Sequence, residues 1–119
     1  MHDFGDRLSD DERYLLRQGA LQWVGPASPN ESVARSAGFD DLAQSMSMAL
    51  PLVKAIDEKT PMSLAQWKRA LAMTELMFGS WEFGAVFEWH TVTGLEDLET
   101  ITALRSVQLK MLHAGDKLI

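Results

Sequence analysis

The chain has 119 residues and no cysteine. That excludes a disulfide framework, a thiol nucleophile and any cysteine-ligated metal or iron–sulfur site. It also suits a reducing compartment. Positive charge is scarce: 11 Lys and Arg stand against 17 Asp and Glu, a net charge of −6. Such a domain repels nucleic-acid phosphates and anionic membrane surfaces, so neither is expected as a partner. Long apolar runs are missing too. The uncharged stretch Leu42–Val53 is interrupted by Gln44, Ser45, Ser47 and Pro51 and is too short to span a bilayer. The first residues carry Asp3 and Asp6 rather than an apolar core, unlike a signal peptide, and a cytoplasmic location is expected.

Catalytic patterns are also absent. The three histidines, His2, His90 and His113, form neither H-E-x-x-H nor the helical E-x-x-H spacing. Glu88 and His90 meet as ligands only if their segment is extended, so no metal site and no cofactor is expected. There is no G-x-S-x-G, Walker A or G-x-G-x-x-G motif. The chain therefore reads as a non-enzyme in preference to an enzyme.

What is present is a series of helix start signals. Ser9-Asp10-Asp11-Glu12 has capping-box spacing, with acids that favour the helix dipole. It predicts a helix to about Val24, stopped by Gly25-Pro26. Leu15, Leu16, Ala20, Trp23 and Val24 share one half of its wheel. Gly19 lies in that half, where it would let another helix approach closely, while Tyr14 and Leu21 lie nearly opposite. Ser28-Pro29-Asn30-Glu31 predicts a short second helix with Pro29 at its first position, ending at Gly38. Asp40 is the next expected cap, for a helix through Ile56 that Pro51 should kink or break near Ala49-Leu50. Ser63-Leu64-Ala65-Gln66 and Thr93-Gly94-Leu95-Glu96 repeat the box spacing. The last of these predicts a helix to about Leu112, closed by His113-Ala114-Gly115. The expected fold is all-α: about five helices with short connections, residues 1–8 a polar tail and 9–119 a single domain.

One segment departs from ordinary composition. Phe78, Trp81, Phe83, Phe87 and Trp89 lie within twelve positions. Between Arg69 and Arg105 there is no lysine or arginine, while Glu75, Glu82, Glu88, Glu96, Asp97 and Glu99 occur. Alternation of aromatic and polar residues would suit a β-hairpin at 80–93, with Gly84-Ala85 as its turn. The helical reading is preferred, because a hairpin is marginal without further strands. The final helix carries Leu98, Ile101, Leu104, Val107, Leu109, Met111 and Leu112 in one broad arc. Arg105 and Gln108 fall inside it and, with Glu88, are candidates for a buried polar pairing or for an exposed binding face.

Two functions follow as expectations. The first is an acidic protein-binding module that inhibits or regulates a basic partner, comparable to immunity proteins and antitoxins in size and charge only. Its surface would comprise Glu75, Trp81, Glu82, Phe87, Glu88, Trp89, Glu96, Asp97 and Glu99. The second is a small-molecule pocket, possible for an enzyme, lined by Trp67, Trp81, Trp89 and Met77 with Glu88, His90 and Arg105 converging. A homodimer using the same aromatic surface is a third arrangement, testable by mass.

Overall fold

The first capping box forms as spaced. In the computed structural model, Ser9 Oγ accepts the Glu12 amide at 3.1 Å, and Glu12 Oε1 accepts the Ser9 amide at 2.8 Å. These bonds open α1, Asp10–Trp23. The structure describes residues 4–25, 29–79, 89 and 93–116. Four more α-helices follow: α2 Glu31–Ser36, α3 Leu42–Asp57, α4 Leu64–Gly79 and α5 Asp97–Asp116. The fold is a small all-α bundle, with no strand among the described residues. The hairpin alternative at 80–93 lies almost wholly outside those residues.

Several boundaries differ from expectation. The second helix is capped by Asn30, whose side chain accepts the Val33 amide at 2.9 Å, so Pro29 precedes the cap instead of opening the helix. Asp41 rather than Asp40 caps α3, through a 2.7 Å bond from the Gln44 amide. Pro51 neither breaks nor ends α3, which runs on to Asp57. Pro51 is exposed, while Ala49, Leu52, Val53 and Ile56 are buried, so packing holds the helix through its missing amide. The Ser63–Gln66 box is reciprocal at 2.8 and 3.1 Å. The Thr93 box is not. Helix α5 begins later, at Asp97, and passes Gly115 to end at Asp116. The Thr93 hydroxyl instead donates to Trp89 O at 2.6 Å and accepts the Leu95 amide at 3.1 Å.

Residues 4–8 are not a tail. Phe4–Arg7 form a 3-10 turn, and Phe4 and Leu8 are buried. The Phe4 ring packs 6.2 Å from that of Trp67, because both apolar side chains gain by leaving water together.

Helix α1 lies at the centre and packs against α3, α4 and α5. Gly19 lies directly against α4: a methyl group there would lie 2.5 Å from Thr74 Cα. Leu15, Leu16, Ala20 and Trp23 are fully buried around it. The Trp23 indole donates to Ser45 Oγ at 2.9 Å, giving its one polar atom a partner inside the core.

Candidate functional site

Helix α5 is apolar on two sides, and polar contacts decide which side faces in. Thr100 is 1% exposed, and its hydroxyl accepts the Trp89 indole N–H at 2.9 Å while donating to Glu96 O at 3.0 Å. The Gln108 amide donates to Glu75 Oε2 on α4 at 2.6 Å. Lys110 Nζ contacts Glu12 Oε1 on α1 at 2.6 Å. With these in place Val107 and Met111 point into the core. The single arc expected from the sequence is therefore split. Leu98, Ile101, Leu109 and Leu112 remain 76, 54, 48 and 58% exposed. At helical spacing they occupy an arc of about 80° with Arg105 in its middle. Asp97 and Glu99, both exposed, flank its N-terminal end.

Beside this stripe, α1 and α5 enclose a cleft of about 600 Å³. Leu15, Leu95, Leu98 and Ala103 form apolar walls, and Asp11, Glu12, Glu99, Ser106 and Lys110 supply polar groups. Leu98 belongs to both cleft and stripe. The Glu12 side chain is 5% exposed. Burial alone would push its carboxyl up, but hydrogen bonding from Lys110, Ser106 and the Ser9 amide outweighs this and holds it below its ordinary value. Oε1 receives both Ser9 N–H and Lys110 Nζ. Oε2 is shut off from solvent.

The structure relocates several expected site residues. Trp89 is fully buried and packs edge-on to Phe78 at 5.4 Å, so it is a core residue and not an exposed anchor. Trp67 and Met77 are fully buried as well, and neither lines the cleft between α1 and α5. Arg105 is exposed on the outer face of α5, where water solvates its charge, so it is not part of a buried pair. Gln108 is half-buried and pairs with exposed Glu75 at the α4–α5 surface. Glu96, Asp97 and Glu99 are brought together at the start of α5, where the Glu99 carboxylate accepts the Glu96 amide at 3.3 Å. Trp81, Glu82, Phe87, Glu88 and His90 lie outside the described residues.

Sequence reasoning missed the cleft. Glu12 read only as a cap, and Lys110 drew no attention. The available signal was the lone lysine of α5, which shares the helix's polar side with Glu99 and Ser106.

Among the described residues no cluster of three or more His, Asp or Glu could hold a metal ion, and no helix is long and apolar enough to cross a membrane. No protein-family model, curated protein or solved structure matches the chain.

Proposed function

We propose that this protein is a small acidic binding module that inhibits or regulates a basic protein partner, with α5 as its working helix. The observation that carries this reading is the outward stripe of Leu98, Ile101, Leu109 and Leu112. Contiguous exposed aliphatics on one helix face mark a surface that another chain covers. The acids at the start of the same helix, Glu96, Asp97 and Glu99, select a partner whose apolar groove is rimmed by lysine or arginine. Self-pairing fits less well. Two copies of α5 crossing antiparallel about Arg105 would set like charges side by side within an otherwise apolar contact. The cysteine-free composition suits action in the cytoplasm.

The test is capture of partners from a lysate of the source organism at low and high salt. Baits are wild type, Ile101→Asp/Leu112→Asp and Asp97→Lys/Glu99→Lys, each checked for folding by circular dichroism. The expected result is one stoichiometric basic partner, weakened by salt and lost with either pair of substitutions. Central apolar anchors contribute about 2 kcal/mol or more each. A partner that is acidic, or that is indifferent to both pairs of substitutions, overturns the proposal. A doubled mass of the free protein would point to a second copy on the stripe.

A further inference from the structure

We infer that the partner covers the outer face of α5 with an amphipathic helix that carries one carboxylate, placed to meet Arg105 at the centre of the stripe. The inference deepens the binding-module reading and rests on it only for the existence of a partner.

The argument starts from the pairing of the cations. Arg17, Arg35 and Lys110 each pair with a carboxylate of this chain. Arg105 has no hydrogen bond or ion pair with any described residue. Its own helix offers none. The positions three and four residues away are Ile101, Thr102, Gln108 and Leu109, and no acid occurs between Glu99 and Asp116. Glu75, on the neighbouring helix, is taken by Gln108. In a chain of net charge −6, the centre of the exposed apolar face is therefore a cation without a counter-charge among the described residues.

Covering the stripe takes that cation out of water. Leu98, Ile101, Leu109 and Leu112 lie on both sides of Arg105, so a surface that buries all four encloses the guanidinium. Left without an acceptor, it would cancel much of what the aliphatic contacts contribute. A carboxylate accepts from two guanidinium N–H groups at once. An aromatic ring would cover one flat face and leave those donors unmet.

The spacing specifies a helix. Leu98, Ile101, Arg105, Gln108 and Leu112 alternate by three and four residues, the repeat of a seam between two helices. The stripe rises about 21 Å, or about four turns. A single polar residue inside such a seam fixes the register of the two helices. Asp97 and Glu99 lie about 10 Å from Arg105 along the axis. The complementary helix therefore carries Lys or Arg on the same face as its carboxylate, about two turns away, with aliphatic residues between.

The experiment is a titration of the 15N-labelled full chain with lactam-bridged helical peptides of about 20 residues. Each has leucine along one seam and two lysines at one end of it, in either chain direction. The central seam residue is Glu, Gln, Leu, Phe or Lys. The protein is wild type, Arg105→Glu or Ile101→Asp/Leu112→Asp, each checked for folding by circular dichroism. The expected result is saturable amide shifts across residues 97–112. The Glu peptide should bind about tenfold more tightly than the Gln, Leu or Phe peptides, and the Lys peptide most weakly. Arg105→Glu should reverse the preference to the Lys peptide, and Ile101→Asp/Leu112→Asp should abolish binding of all five. Leu or Phe binding wild type as tightly as Glu, a preference that survives Arg105→Glu, or no peptide shifting α5 overturns the inference, even if the partner capture succeeds. The expected preference and its reversal would support it even if that capture finds no basic partner.

Discussion

Glu12 is at once a helix cap and a buried ion-pair partner. Because its carboxyl is held below its ordinary value of 4.5, its ionised form contributes stability above that pH. The contribution is lost as pH falls through the lower folded value. Lys110→Met should cost roughly 2 kcal/mol at neutral pH, less than a fully buried pair because the lysine is partly exposed. The difference from wild type should shrink in acid, and urea unfolding at several pH values measures it. A pH-independent difference would mean that Lys110 acts by packing its methylenes. At Gly19 the outcome is steric. A methyl group placed 2.5 Å from Thr74 Cα would force α1 and α4 apart, and Gly19→Ala should lose about 3 kcal/mol or more despite the better helix propensity of alanine. An unchanged midpoint in the same assay would show that the two helices slide freely.

At the scale of elements, Pro51 shows packing overriding local preference. It removes an amide from α3 and crowds the preceding turn, yet its side chain faces solvent. Pro51→Ala should therefore raise stability by about 1–3 kcal/mol without loss of core contacts, as read from thermal unfolding. A decrease would mean that the proline shapes α3 for its fit against α1. The helix starts were legible to within a few residues because caps are local: Ser9 and Ser63 formed their boxes as spaced. Thr93 did not, because its hydroxyl was drawn to Trp89 O four residues back. The rotation of α5 was not legible. Its apolar residues surround most of the wheel, and the choice of inner face came from Thr100, Gln108 and Lys110 meeting groups distant in sequence.

For the molecule as a whole, charge and the α5 stripe act against each other. The net charge of −6 keeps copies apart at neutral pH, while the exposed leucines and isoleucine favour contact. Near the isoelectric point of about 4.9 the repulsion vanishes. Light scattering there should show association that is absent at pH 7 and reduced in Ile101→Asp/Leu112→Asp. Association unaffected by those substitutions would place the adhesive surface elsewhere.

By itself the sequence determined the helical class, most helix starts and the small residue where α1 and α4 cross, because propensity, capping and periodicity act within a few residues. It also determined the acidity, which is plain arithmetic. Only the tertiary structure decided which apolar side chains went inside. It buried Trp67 and Trp89 and left Leu98 and Leu112 in water. It also drew Phe4 and Leu8 into the core and joined Glu12 to Lys110 across 98 residues of chain. The reason is physical: burial and ion pairing depend on which surfaces meet, and a helix with two apolar faces carries no local record of which one will be covered.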